Sequence, residues 1–170
     1  MKRLLVFLLL IPFLASAQDV RMMFIKKAVG KITLDGSLDE ADWKTADVGQ
    51  DFQQTFPFDS SQAETRTDVM LTYDDKNLYI AAICFDAIDG KYVIQSLKRD
   101  FSFPVSDAFA VFIDPFDDGA NGFSFSVNPL GVQREGTVEN GGGFGVTTAW
   151  DNRWFSEVTV EEGKWIGFCA

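Results

Sequence analysis

Residues 106–131 read SDAFAVFIDPFDDGANGFSFSVNPLG, and this stretch decides the fold class. Phe109, Val111 and Ile113 alternate along its first half, and Phe123, Phe125 and Val127 along its second. A two-residue period of this kind belongs to a strand with one buried face. Between the two runs lie Asp114-Pro115 and Gly119-Ala120-Asn121-Gly122, residue types that supply turn geometry. The stretch predicts an antiparallel hairpin around an acidic, glycine-bearing loop.

The flanking sequence continues the pattern. Upstream, a strand is expected from about Thr67 to Tyr73, then a turn at Asp74-Asp75-Lys76-Asn77, then LYIAAICF at 78–85. That second run is apolar on both faces, as befits the centre of a sheet. Downstream come a glycine-rich loop at 141–145, a strand-like WFSEVTV at 154–160, a turn at 161–163 and KWIGF at 164–168. Nearer the N-terminus, KITLDGSLDEADWKTA (31–46) predicts a short strand over 31–34 and a turn at Asp35-Gly36. Ser37 and Glu40 then form a capping box for one short helix through Trp43. Residues 51–69 are loop-like around Pro57, Ser60 and Ser61. Short strands between turn signals, few helical periods and 17 Phe indicate an all-β antiparallel β-sandwich, immunoglobulin or jelly-roll in style, with that one helix.

Lys2 and Arg3 precede an apolar run at 4–14, and Ala15-Ser16-Ala17 follow as a cleavage site, so residues 1–17 are expected to be a secretory signal peptide. Eleven apolar residues fall short of the ~20 a membrane-crossing helix needs. The expected mature chain, 18–170, is one domain, exported to the periplasm, the outer membrane or the extracellular space. Its 13 basic residues (15 less Lys2 and Arg3) stand against 25 acidic ones, a net charge of −12. Nucleic acid and anionic lipid are thereby excluded as partners, because binding them needs clustered Lys and Arg. Cys84 sits in a strand expected to be buried and Cys169 near the end of the sequence, so the expectation is two thiols rather than a bridge. The chain has no His, and hence lacks the commonest general base and the usual zinc and haem ligand.

Four ordered blocks, ITLDGSLDEADWKTA, RTDVMLTYDDKNLYIAAICFD, SDAFAVFIDPFDDGANGFSFSVNPLGVQREG and AWDNRWFSEVTV, cover most of residues 32–160. Together they resemble the family 9 carbohydrate-binding modules and the related N-terminal domains of larger bacterial envelope proteins. The resemblance implies a β-sandwich that binds sugars without cleaving them, an association with glycoside hydrolases, and structural calcium in some members. In the envelope-protein relatives an outer-membrane β-structure follows. Relatives also continue past the position of Trp165 into another strand, whereas GKWIGFCA closes this sequence at 163–170. The sandwich is therefore expected to lack its last strands, and a C-terminal outer-membrane or catalytic part is expected outside this chain.

A sugar is held in water by an aromatic face against its C–H face and by polar side chains on its hydroxyls. Trp150 and Trp154, with Asn152 between them, meet that demand, and on a regular strand all three point the same way. For Trp154 a buried position at the head of a strand is the competing reading. Arg99 and Asp100 lie where the resemblance places polar binding groups. Asn128 and Arg134 belong to a matching block, with hydrogen bonding inside the sandwich as the alternative. Asp107, Asp114, Asp117 and Asp118 concentrate carboxylates around the hairpin, either as oxygen donors for calcium or as turn residues.

No GxSxG, HExxH or phosphate-loop pattern occurs, and 25 acidic residues always offer some carboxylate pair, so no enzyme is indicated. The expected function is binding of an oligo- or polysaccharide in carbohydrate catabolism. A structural or interaction domain of an outer-membrane protein without sugar affinity is the alternative. A haem-binding electron-transfer domain stands third, with Met22, Met23 and Met70 as the available axial ligands.

Overall fold

The computed structural model describes residues 21–55, 61–86, 91–142 and 145–170. The expected signal peptide at 1–17, Pro57 and Ser60 of the expected loop, and residues 143–144 of the glycine-rich loop lie outside the described residues. Ten strands are described: β1 (Lys26–Lys27), β2 (Val48–Gly49), β3 (Thr67–Tyr73), β4 (Leu78–Phe85), β5 (Phe109–Ile113), β6 (Gly122–Val127), β7 (Gln133–Val138), β8 (Val146–Thr147), β9 (Ser156–Glu161) and β10 (Lys164–Cys169). One sheet runs β3-β4-β10-β9, with β1 and β2 sharing the outer edge of β3, and the other runs β5-β6-β7-β8. Every pairing is antiparallel except the two-residue match of β1 with β3. Among the described residues no helix is long and apolar enough to cross a membrane.

The expected hairpin is β5 and β6, with Phe109 opposite Val127 and Ile113 opposite Phe123. Its loop is held by carboxylates: Asp114 accepts from the backbone N–H groups of Phe116 and Gly119, and Asp118 from those of Ala120 and Asn121. The turn at 74–77 forms in the same way, with Asp74 Oδ1 accepting from Lys76 and Asn77.

β4 is apolar on both faces because both are covered. Ile80 and Ala82 pack with Val69 and Cys169 toward Phe109 and Val111 of the second sheet. Tyr79 and Ala81 pack with Met70, Phe168, Ile32 and Trp43 on the opposite side. The N-terminal segment around residues 28–46 thus forms a third layer over the outer face of the first sheet. β10 lies between β4 and β9 and carries Trp165, Ile166 and Phe168 into the core. Cys84 pairs with Trp165 while Cys169 pairs with Ile80. Four residues of offset at ~3.4 Å each separate the two thiols well beyond the roughly 6 Å Cα spacing of a disulfide, and both are free. Burial pushes each up to about 12.

The structure corrects three local expectations. Residues 31–34 join no strand, and the pairing near the N-terminus falls instead to Lys26 and Lys27. The short helix is one 3-10 turn, Trp43–Thr45, without a side-chain cap. Its acids are engaged elsewhere: Glu40 accepts from the Thr33 N–H and the Trp43 indole N–H, and Asp42 from the N–H groups of Val29 and Gly30. Long-range ties to the covering segment took the carboxylates a capping box would have used. Met70, the strand methionine considered for haem, faces the outer cluster of Trp43 and Phe168, away from the space between the sheets.

Phe168 is fully buried and meets Trp43 edge-on, with centroids 5.3 Å apart. Phe168→Ala is expected to destabilise the fold by about 3–5 kcal/mol, read as a lowered urea midpoint at unchanged slope. Backbone N–H groups of Lys76 and Asn77 and the Tyr79 hydroxyl hold the Asp74 carboxyl below its ordinary value, and the Asn121 side chain and nearby backbone do the same for Asp118. Depressed carboxyls stabilise the fold above the unfolded value near ~3.9, and that contribution disappears as pH falls through the folded values. Asp118→Asn is therefore expected to lower the urea midpoint at pH 7, with the gap to the native chain closing below about pH 4.

Candidate functional site

The inward positions of β7 are polar. Gln133, Glu135 and Thr137 lie opposite Val127, Phe125 and Phe123 of β6, so on the face toward the first sheet carboxylate and amide groups adjoin aromatic rings. Gln133 reaches across to the first sheet, its amide donating to the Ser156 hydroxyl at 3.0 Å. Glu135 is 1% exposed. A buried carboxylate requires partners, and Glu135 has two: Oε2 accepts from the Trp154 indole N–H at 3.0 Å, and Oε1 from the Arg99 guanidinium. The same Arg99 nitrogen donates to Asp151 Oδ1 at 2.8 Å. One cation thus bridges a buried carboxylate and an exposed one.

Arg99 enters along the edge of β7, where the Asp100 N–H donates to the Gln133 carbonyl and Asp100 adopts a left-handed φ of 62°. The rings assemble beside this network. Trp150 lies 4.8 Å from Phe123 and 6.1 Å from Phe125, and Phe125 meets Trp154 at 5.4 Å. Both tryptophans are half-buried. Trp154 packs against the core between the sheets and also lines a cleft of about 250 Å³. Ile80, Ile113, Phe125 and Phe155 give the cleft apolar walls, and Asn77, Asn152 and Arg153 give it polar groups.

Of the residues singled out from sequence, Trp150, Trp154 and Arg99 come together, with Asn152 on the cleft. Trp150 and Trp154 share Phe125 although they are not on one strand, since β9 starts at Ser156. The competing reading of Trp154 holds in part, because its ring is a core contact and a cleft wall at once. Asn128 is fully buried and belongs to a turn, its Oδ1 accepting from the N–H groups of Leu130 and Val132. Arg134 alternates to the other face of β7 from Glu135, where burial lowers its pKa and Asp100 opposes that. Asp100 faces it, away from Glu135.

The carboxylates considered for calcium do not converge. Among the described residues no group of three or more acidic side chains is placed to hold a metal ion. Asp107 accepts from the Val93 N–H at 2.7 Å, Asp114 and Asp118 hold the hairpin loop, and Asp117 takes a left-handed φ of 53° within it. Asp114, Asp117 and Asp118 belong to the hairpin loop, and Asp107 ties the segment at Val93 to the start of β5.

Glu135 is the site residue that sequence reasoning missed. Its signal was available: in QREGTV at 133–138 no alternate set of positions is apolar, so the strand must turn polar groups inward.

Removing Arg99 would leave Glu135 charged and buried without its cation. Arg99→Ala is expected to cost about 3 kcal/mol or more, whereas Asp151→Ala, which removes an 85%-exposed partner, is expected to cost under about 1 kcal/mol. The double variant Arg99→Met with Glu135→Gln should recover much of the loss, because no uncompensated charge remains. Chemical denaturation of the four chains checks this, and equal losses for the two single variants would contradict it.

No family model matches the chain, and no curated protein does. Among solved structures, a family 9 carbohydrate-binding module from Caldicellulosiruptor kristjanssonii in complex with glucose superimposes with a TM-score of 0.56 at 17% identity. A family 9 module from the same organism in complex with cellotriose superimposes with a TM-score of 0.57 at 18% identity. Each match covers 85% of this chain and 65% of the solved one, so the chain spans just under two thirds of the length of the proteins it matches. In fold, the chain is a β-sandwich like the family 9 carbohydrate-binding modules.

Proposed function

We propose that the protein is a non-catalytic carbohydrate-binding domain of an exported protein, accessory to polysaccharide use at the cell envelope. The observation that carries the reading is one half-buried indole, Trp154, on a cleft with apolar walls and amide and guanidinium groups, with Trp150 packed behind it on Phe125. A pyranose needs that combination, an apolar surface for its C–H face with donors and acceptors around it. At about 250 Å³ the cleft lies just under the roughly 300 Å³ where drug-sized pockets begin, the scale of one sugar ring. Arg99, Arg153 and Lys76 offset Glu135 and Asp151 locally, which suits a neutral sugar. The solved proteins of like fold hold glucose and cellotriose, and the same class of ligand is proposed here.

Few rings and exchanged hydrogen bonds leave a modest net gain, so dissociation constants of about micromolar to millimolar are expected. Isothermal titration of the chain against neutral oligosaccharides is the test. Phe155→Ala, which removes a 51%-exposed ring of the cleft wall without touching the Glu135 network, is expected to weaken binding about tenfold or more while leaving the thermal midpoint nearly in place. No heat with any oligosaccharide at millimolar concentration would overturn the reading and leave an interaction domain in its place.

A further inference from the structure

We propose that the open edge of β5 is a self-association surface, where a second copy of this chain adds its own β5 in antiparallel register about Val111 and joins the two four-stranded sheets into one. The pairing does not depend on what the Trp154 cleft holds.

An open sheet edge offers unpaired N–H and C=O groups to another strand, and proteins guard such edges with short strands, charge or proline. Among the described residues, three sheet margins are guarded in this way. On the β3 side, β1 and β2 are two residues each, and β1 is an exposed Lys26-Lys27. β8 is two residues long. β9 exposes Glu157 and Glu161. The remaining margin is β5, whose strand partner is β6 alone and whose residues, Phe109–Ile113, include neither charge nor proline. None of them is buried, and Phe112 is 63% exposed.

The sequence of β5 fits a copy of itself. In an antiparallel pair centred on Val111, Phe109 meets Ile113, Ala110 meets Phe112 and Val111 meets Val111. On the outer face a large ring thus lies across from a small side chain, and the two Phe112 rings are diagonal neighbours, at a spacing of roughly 7–8 Å that aromatic side chains span. Asp114 faces Ala108, so no acid opposes an acid within the ladder. The ends agree as well. Asp107 gives its N–H to the Val93 carbonyl and accepts from the Val93 N–H, while Pro115 has no N–H to give. In this register Asp107 and Pro115 stand opposite each other, and the ladder closes at both ends without losing a position. Moving the centre by one residue sets Asp107 against Ile113, or Pro115 against Phe109, and shortens it.

Long-range charge opposes the pairing. Each chain carries a net −10, and salt screens that repulsion over a length of about 10 Å at 0.1 M. The association therefore comes from the ladder and the apolar edge, and it is weakest at low ionic strength. Few residues take part, which places the dimer among transient ones, with a dissociation constant of about 1–100 μM.

Analytical ultracentrifugation of the chain from about 1 to about 300 μM, at about 0.05 M and about 0.5 M salt, is the test. A monomer–dimer equilibrium that tightens at the higher salt is expected. Phe112→Lys is expected to weaken it about tenfold or more with the urea midpoint nearly in place, although the added Lys lowers the net negative charge and would strengthen an association governed by charge alone. Mild oxidation is expected to link Val111→Cys into a disulfide dimer, because directly opposite Cα atoms lie about 4.5–5.5 Å apart, within a disulfide's span. Ala110→Cys, whose copies are diagonal at roughly 7–8 Å, is expected to stay unlinked. A chain that remains monomeric throughout overturns the proposal. So does a dimer that Phe112→Lys leaves unchanged or tightens, or one that links through residue 110 as readily as through residue 111.

Discussion

A carboxylate without solvent organises the site. Glu135 cannot be buried as a lone charge, so the chain has to deliver a cation and a second donor to it. The cation comes from the segment before β5, which lays Arg99 along the edge of β7, and the second donor from the segment before β9, which brings the Trp154 indole N–H. Three regions far apart in sequence are thereby fixed at one point. A hydrophobic residue at 135 could pack there, but it would not select one orientation of Trp154 or one path for residues 98–100. The buried charge specifies geometry more than it adds stability.

That geometry stands on a platform buried from both sides. The N-terminal layer around Trp43 and Ile32 covers the outer face of β3, β4 and β10, and the second sheet covers the inner one. β4 and β10 therefore carry aliphatic and aromatic residues at nearly every position. The second sheet has no equivalent uniformity. Its inner face is aromatic on β5 and β6 and becomes polar on β7, and it is at this change that the rings and the charged network meet. Along the polar margin side chains still bridge the two sheets, as Gln133 does to Ser156.

The elements legible in the sequence were those whose determinants are local. Alternating Phe residues and an Asp-containing turn specify the β5–β6 hairpin within 20 residues or so, and Asp74 specifies its turn from within. An apolar run of eight residues bounded by turns had to be a central strand. What was illegible depended on partners distant in sequence. Ser37 and Glu40 have capping-box spacing, yet Glu40 serves Thr33 and the Trp43 indole, because the N-terminal layer must satisfy its own backbone before it can cover the sheet. The acidic hairpin loop failed differently. A carboxylate that accepts backbone N–H groups and one that ligates calcium look alike in a sequence, and here Asp107, Asp114 and Asp118 each accept from backbone N–H groups. Trp150 and Trp154 stand out in the sequence by their polar surroundings, but Glu135, which holds the Trp154 indole, shows only as an acidic residue in a strand with no apolar period.

Trp154 illustrates why core contact and cleft wall need not be alternatives. A free indole on a loop would lose rotamer freedom each time a ligand stacked on it, a cost of the order of 0.5–1.5 kcal/mol per ordered side chain. Here the edge contact with Phe125 and the hydrogen bond to Glu135 settle the rotamer during folding. Trp150 is settled similarly, against Phe123 and Phe125. For a ligand that gains little from each exchanged hydrogen bond, an ordering cost already met by the fold is a large fraction of the net binding free energy. Half-burial of both rings therefore suits the proposed binding of a sugar, since a fully buried ring offers no face and a fully exposed one no fixed orientation.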